Sequence, residues 1–116
     1  MSQSTRSPRR GQLALFHVTP RRNLESIYQL GIDPSFSRST WPACWFVSPS
    51  MRQWAIRHVA DKYQLRTSDL VCIRVVLSRR NVVRRNRGVW TCASVVADFV
   101  AVRPCSNIYY TTFGTA

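Results

Sequence analysis

The stretch Leu15-Phe16-His17-Val18-Thr19-Pro20 is an apolar run that carries one imidazole and ends in threonine and proline. A run of this kind predicts a β-strand, and a hydroxyl residue before proline predicts the start of a helix. The same pattern returns in Cys44-Trp45-Phe46-Val47-Ser48-Pro49. We therefore expect His17 and the Trp45/Phe46 pair beside strand-to-helix turns, where a rigid scaffold presents side chains to a ligand.

Hydrophobic periodicity extends this pattern along the chain. It predicts a strand over 13–18, a helix over 20–30 that stops at Gly31, a strand over 44–47 and a helix over 49–64. Runs of β-branched residues then predict strands over 70–77, 89–92, 98–102 and 108–112. The predicted fold is α+β, with two helices and a mixed or antiparallel sheet. The second helix has a predicted buried stripe: Met51, Trp54, Ala55, His58, Val59 and Tyr63.

A chain of 116 residues is long enough for one domain. Residues 1–11, rich in Ser, Arg and Pro, are expected to form a flexible basic arm, and residues 12–116 a single domain. Residues 33–42 are predicted to be an ordered loop and a candidate lid over a pocket. Neither a secretory signal nor a run of about 18 apolar residues is found, which favours a cytoplasmic protein with no membrane partner.

Positive charge dominates the chain. Its 17 Lys and Arg against 5 Asp and Glu give a net charge of +12, and Lys62 is the only lysine. Guanidinium groups contact phosphate in pairs of hydrogen bonds and stack on bases, so clustered arginines predict an RNA or DNA partner. A solvated, self-repelling surface is the alternative explanation. The candidate nucleic-acid contacts are Arg21, Arg22, Arg79, Arg80, Arg84, Arg85 and Arg87.

The four cysteines are widely spaced and match no zinc-finger pattern. Three of them lie in apolar, strand-like runs, where buried free thiols are expected. We therefore expect no metal and a reducing compartment. The cysteines are Cys44, Cys72, Cys92 and Cys105.

Taken in order, several short motifs resemble the ADP-ribosyltransferase superfamily. This superfamily includes the His-Tyr-Glu enzymes of the diphtheria-toxin type, the DNA-targeting toxins and the tRNA 2′-phosphotransferases. The resemblance covers roughly residues 13–102 and rests on Leu15 to Thr19, Leu30-Gly31-Ile32-x-Pro34, Trp45 to Ser48, and the acidic residue that opens Asp98 to Val102. It implies a compact ADP-ribosyltransferase-like sheet, NAD as the substrate, and transfer of ADP-ribose, with a nucleic acid as the expected acceptor.

The resemblance also implies roles for individual residues. His17 matches the histidine that hydrogen-bonds a ribose hydroxyl of NAD, Val18 would meet the nicotinamide amide through its backbone, and Thr19 would support the strand edge. Either Phe46 or Trp45 stands where relatives place the tyrosine that stacks on nicotinamide. Strand alternation lets only one of these two rings face the pocket.

Other matched positions depart further from the family. Ser48 stands where relatives often carry Ser or Thr, and Trp54 offers either a second stacking face or a core residue. The family glutamate is absent from the late strands, since Glu25 is the only glutamate. Asp98 is the candidate replacement, as a ribose ligand or base, or else a solvated strand-edge residue. Arg38 is expected near the NAD pyrophosphate.

Alternative functions remain open beside ADP-ribosyl transfer. A non-enzymatic RNA- or DNA-binding module would use the arginines of 79–87 for phosphates and Trp90, Tyr109 and Tyr110 for stacking. An RNA 2′-phosphotransferase-like enzyme would also suit a basic chain, although such enzymes usually carry an extra winged-helix domain. A protein acceptor, and an antitoxin or host protein that completes the site, are compatible with the same motifs.

Overall fold

The computed structural model describes residues 7–36 and 43–105. Its strands are β1 Gln12–Pro20, β2 Cys44–Val47, β3 Leu70–Ser78, β4 Val82–Asn86, β5 Val89–Cys92 and β6 Phe99–Pro104. Its α-helices are α1 Leu24–Leu30 and α2 Arg52–Tyr63. The predicted strand over 108–112 lies outside the described residues.

The strands form one sheet in the order β4-β5-β2-β1-β3-β6, and each pairing between them is antiparallel. The longest ladder joins β1 to β3, from Gln12 opposite Ser78 to Pro20 opposite Leu70. The α+β prediction is confirmed, and the sheet is antiparallel rather than mixed. In the predicted arm, the described residues 7–11 lead into β1, and the Gly11 carbonyl accepts a 2.9 Å hydrogen bond from the Arg79 amide.

Strand β4 is absent from the sequence prediction, which treats its residues only as part of an arginine-rich run. Its sequence is Val-Val-Arg-Arg-Asn, and only Val82 is buried. β4 lies at the edge of the sheet, where a strand needs little apolar surface and where charged side chains prevent pairing with another chain. Hydrophobic patterning therefore gives little sign of it.

One face of the sheet, called here the α1 face, carries Leu15, Phe46 and Ile73. Helix α1 covers it through Ile27, its one buried residue. The helix ends at Gly31, as predicted, with φ +79° and a 2.7 Å hydrogen bond from the Gly31 amide to the Ile27 carbonyl. Gly31 is required here, because a Cβ would lie 2.7 Å from Val95 Cγ1 and within 3.0 Å of the Val96 carbonyl oxygen.

The opposite face, called here the α2 face, carries Phe16, Val18 and Cys72 and is covered by helix α2. The predicted stripe of α2 is wrong in part, because Trp54 is 49% exposed and His58 is also exposed. The helix is rotated so that Ile56, at 0% exposure, points into the core instead. Helical spacing fits both rotations, and only packing against the sheet distinguishes them. The buried residues of α2 are Ala55, Ile56 and Ala60.

Both helices begin with a 3-10 turn, over Arg21–Asn23 and over Pro49–Met51. Pro49 occupies the first helical position as predicted, whereas Pro20 still belongs to β1. The predicted side-chain caps do not form at either start. The Thr19 hydroxyl instead accepts a 3.1 Å hydrogen bond from Asn23 Nδ2, which ties the end of β1 to the start of the helix.

All four cysteines are buried and unpaired. The buried thiols expected in the strand-like runs are therefore confirmed. In residues 7–36 and 43–105, no helix combines the length and apolar character needed to cross a membrane.

Candidate functional site

The sheet is nearly divided between β1 and β2, which pair only at Phe16 opposite Val47. Beyond this pair, β1 continues along β3 and β2 continues along β5. A cavity of about 720 Å³ lies where the two strands separate, and residues from both faces of the sheet line it. Its volume falls in the range of about 300–1,000 Å³ that is usual for ligand pockets. We call this cavity the β1–β2 cleft.

His17 lies in the β1–β2 cleft with one ring nitrogen fixed by the protein. Its Nδ1 is 2.8 Å from the backbone carbonyl oxygen of Trp45. Burial lowers the pKa of His17, and the hydrogen bond to the Trp45 carbonyl opposes this effect only in part, so the ring is neutral near pH 7. Because a carbonyl oxygen only accepts, Nδ1 carries the proton, and Nε2 is left as an acceptor for a ligand hydroxyl.

Strand alternation distinguishes the two candidate rings on β2. Phe46 shares the α1 face with His17, and the two rings are 5.6 Å apart between centroids and tilted by 56°. Phe46 is only 1% exposed, so it forms the floor beneath the imidazole. Trp45 lies on the α2 face, is 43% exposed, and also lines the cleft. The expectation that only one of the two rings faces the pocket is wrong, because the cleft lies between the strands and both rings line it. The larger accessible aromatic surface belongs to Trp45.

Val18 and Thr19 are buried and line the cleft, as expected for the strand that carries His17. Ser48 lies outside the cleft lining. Its Oγ is 3.1 Å from Ser50 Oγ, and its amide donates a 2.9 Å hydrogen bond to the Gly88 carbonyl. These contacts give Ser48 a role in the turn between β2 and α2.

The structure places Asp98, the acidic candidate from the sequence, away from His17. Asp98 is exposed, directly precedes β6, and lies outside the cleft lining. The ladder places its neighbour Phe99 opposite Val75, whereas His17 lies opposite Ile73. Asp98 and His17 are therefore separated along the strands as well as across them.

Asp33 is the one carboxylate that lines the cleft among the residues the structure describes. Its Oδ1 accepts a 2.9 Å hydrogen bond from the Ser35 amide. The residue before it, Ile32, pairs with Val96, which brings this segment against the α1 face. Sequence reasoning missed Asp33, although it occupies the variable position of the Gly31-Ile32-x-Pro34 motif.

Helix α2 contributes a polar and aromatic row to the cleft that the sequence prediction assigns mainly to the core. Trp54 and His58 stack with ring centroids 5.0 Å apart and planes only 10° from parallel. Lys62 follows one turn later, and its Nζ lies 5.5 Å from the centre of the Tyr63 ring. All four residues line the cleft.

The candidate nucleic-acid arginines fall into two groups. Arg22 lines the cleft, while Arg21 donates a 3.1 Å hydrogen bond from Nη2 to the Ser68 carbonyl. Arg84 lies opposite Trp90 in the β4–β5 ladder, and Arg85 Nε donates a 2.9 Å hydrogen bond to Thr91 Oγ1. An exposed group, none of whose members lines the cleft, surrounds β4: Arg79, Arg80, Arg84, Arg85 and Arg87.

Three other predicted site features lie outside the described residues: Arg38, most of the candidate lid over 33–42, and the stacking pair Tyr109 and Tyr110. Within the described ranges, no group of three or more His, Cys, Asp or Glu side chains is arranged to hold a metal ion. Comparisons with protein-family models, with curated proteins and with solved structures find no match to this chain.

Proposed function

We propose that the protein binds NAD in the β1–β2 cleft and transfers ADP-ribose from it to a nucleic acid. The observation that carries the proposal is the position of His17 in this cleft. Its ring is oriented by the 2.8 Å hydrogen bond to Trp45 and leaves Nε2 to accept from a ribose hydroxyl. This is the contact that the resemblance to the ADP-ribosyltransferase superfamily implies.

The chemistry requires three kinds of group. The bond between nicotinamide and ribose C1′ breaks with its electron pair leaving on nicotinamide, and positive charge builds on the ribose. An acceptor atom then bonds to C1′ and loses its proton to a base. His17 fixes the ribose, the exposed ring of Trp45 forms a wall for the departing nicotinamide, and a carboxylate stabilises the cation or takes the proton.

We assign the carboxylate role to Asp33. It lines the cleft together with His17, whereas Asp98 lies outside it. An aspartate is one methylene shorter than the glutamate of the family, so the substrate has to lie close to the Gly31–Asp33 segment. The assignment to Asp98, which sequence order alone suggests, becomes the competing hypothesis in the test below.

The charge of the chain supports a nucleic acid as acceptor. The net charge is +12, and the exposed arginines around β4 lie on the same sheet as the cleft, two strands away from β2. Phosphate neutralisation by such residues attracts RNA or DNA without selecting a sequence. Arg22 extends the positive charge into the cleft itself.

The second candidate function is a binding module without catalysis. Arg84 and Trp90 are cross-strand neighbours near the edge of the sheet, and together they offer a guanidinium and an indole to one nucleotide. This explanation requires neither His17 nor a carboxylate.

The test is incubation of the purified protein with NAD labelled in its adenylate part and with separate pools of RNA, DNA and protein. ADP-ribosyl transfer predicts release of nicotinamide and label in the RNA or DNA pool. Nucleic-acid binding that weakens with salt, without nicotinamide release, would support the binding module instead. Label in the protein pool alone would refute the nucleic-acid acceptor.

Matched variants locate the carboxylate. Asp33→Asn and Asp98→Asn each remove one negative charge with almost no change in size. If Asp33 acts in the reaction, only Asp33→Asn lowers kcat for transfer, by about 10²-fold or more, which is the usual contribution of a general base. A large loss in Asp98→Asn with wild-type activity in Asp33→Asn would transfer the role to Asp98.

A further inference from the structure

Helix α2 presents a row of three exposed side chains, Trp54, His58 and Lys62, called here the α2 ridge. The three positions are four residues apart, so their side chains stand one above another on the helix. Trp54 is 49% exposed and the other two side chains are also exposed, yet all three line the β1–β2 cleft. A large exposed indole at a cavity wall is more typical of a binding surface than of packing.

The indole is already held in a stacking geometry. The His58 ring lies 5.0 Å from it, only 10° from parallel, and so covers one face of the indole. The stacking holds the orientation of the indole, and an exposure of 49% leaves aromatic surface accessible to a planar ligand. Little side-chain freedom is left for such a ligand to remove on binding.

We propose that the α2 ridge is the subsite where an unpaired base of a single-stranded nucleic acid stacks on Trp54. Lys62, one turn further along the helix, would contact a phosphate of the same strand. A duplex conceals the faces of its bases, so stacking on this indole selects a single strand or a base turned out of its helix. The inference rests on the proposed function in one respect, since it names the acceptor that reaches the cleft.

The ridge lies close enough to the proposed ribose site for a nucleic acid bound there to act as the acceptor. Trp54 and Lys62 line the same cleft as His17, but they lie on the α2 face whereas His17 lies on the α1 face. A base stacked on Trp54 therefore approaches the proposed ribose site from the side of the sheet opposite Asp33. The charge complementarity is direct, because Lys62 and Arg22 place positive charge at this cleft.

The experiment measures binding of fluorescein-labelled oligonucleotides of about 12 nucleotides, within the site size of small single-strand binders. The probes are single-stranded RNA, single-stranded DNA and the corresponding duplexes, each at several salt concentrations. Wild type is compared with Trp54→Ala, Trp54→Phe and Lys62→Ala. Controls are Tyr28→Ala, which removes an aromatic ring that is 62% exposed and outside the cleft, and Arg57→Ala, which removes an exposed α2 charge outside the cleft.

We expect Trp54→Ala to weaken single-strand binding by roughly fivefold or more, and Trp54→Phe to retain most of it. Lys62→Ala should reduce the salt dependence by the equivalent of about one phosphate contact. Tyr28→Ala and Arg57→Ala should bind single strands as wild type does. Trp54→Ala should leave duplex binding unchanged, because that binding depends on the arginines. Thermal melting of each variant confirms that it is folded.

Three results would overturn the proposal. One is equal single-strand binding by wild type and Trp54→Ala, and another is an equal loss for single strands and duplexes. The third is a loss of NAD affinity in Trp54→Ala without a loss of oligonucleotide affinity, which would make the ridge a subsite for NAD. Nicotinamide release by the wild type is measured in parallel. If it is absent while Trp54 still controls single-strand binding, the proposed transfer fails and the subsite stands.

Discussion

Replacing His17 by Asn separates the two hydrogen bonds assigned to its ring. The Asn amide nitrogen occupies about the position of Nδ1 and can donate to the Trp45 carbonyl, but it provides no equivalent of Nε2. His17→Ala removes both nitrogens and leaves the carbonyl without its 2.8 Å partner. Loss of a typical hydrogen bond costs about 0.5–1.5 kcal/mol, so the free energy of unfolding should fall by that amount in His17→Ala and by clearly less in His17→Asn.

The pH dependence gives a second measure of the same residue. Burial holds the pKa of His17 below its ordinary value of 6.5, so the unfolded chain takes up this proton more readily than the folded protein. The stability that neutral His17 contributes is complete above pH 6.5 and is lost as the pH falls below 6.5 toward the folded pKa. One proton changes the free energy of unfolding by at most about 1.4 kcal/mol per pH unit. His17→Asn should not show this loss of stability at acid pH, because it lacks the imidazole.

The assay is urea unfolding followed by tryptophan fluorescence, from about pH 7.5 to about pH 5, where histidine titrates. We expect the stability of wild type to fall toward acid more steeply than that of His17→Asn. Parallel curves for the two proteins would refute the lowered pKa. A His17→Asn protein as unstable as His17→Ala would refute the assignment of Nδ1 as the donor to Trp45. Nicotinamide release should be lost in both variants, since neither has Nε2.

Other expectations concern the fold. Gly31→Ala should lower the free energy of unfolding by about 1–3 kcal/mol, visible as a lower Tm, because φ is +79° and the new Cβ would lie 2.7 Å from Val95 Cγ1. Ile56→Ala should lower the free energy of unfolding by about 2–5 kcal/mol, and Trp54→Ala should lower it by about 0.5 kcal/mol or less. Chemical denaturation measures both values. Equal losses in the two variants would contradict an orientation of α2 that buries Ile56 and exposes Trp54. Burial raises the pKa of the thiols of Cys44, Cys72 and Cys105 to about 12. These thiols should therefore resist maleimide in the folded protein near pH 7 and react with it in denaturant, and mass spectrometry measures the extent of labelling.

Much of the fold could be predicted because the local signals are strong. The Gly31 stop follows from a backbone conformation that side chains disfavour, and the strand over 44–47 agrees with Cys44–Val47 in the structure. The failures arise where tertiary packing decides. β4 needs no apolar face at the sheet edge, and the choice between Ile56 and Trp54 on α2 depends on how the helix lies on the sheet.

The candidate site was predictable on its strands and not on its loops. Placing His17 and Phe46 on adjacent strands requires only strand alternation and one correct pairing. Asp33 has no signal of its own, because it reaches the cleft through the long-range pairing of Ile32 with Val96. Asp98 was the candidate by sequence order, which carries no information on distance across the sheet.

The single pair between Phe16 and Val47 has a mechanical consequence. It divides the sheet into two plates of three strands, β4-β5-β2 and β1-β3-β6, each with its own ladders. The hydrogen bond from His17 to the Trp45 carbonyl adds a second link between β1 and β2. The plates can therefore tilt apart without breaking the ladders inside either one. A ligand that contacts both β1 and β2 would hold the two halves of the sheet together. Hydrogen exchange of the backbone amides on both sides of the cleft should then be slower with the ligand than without it.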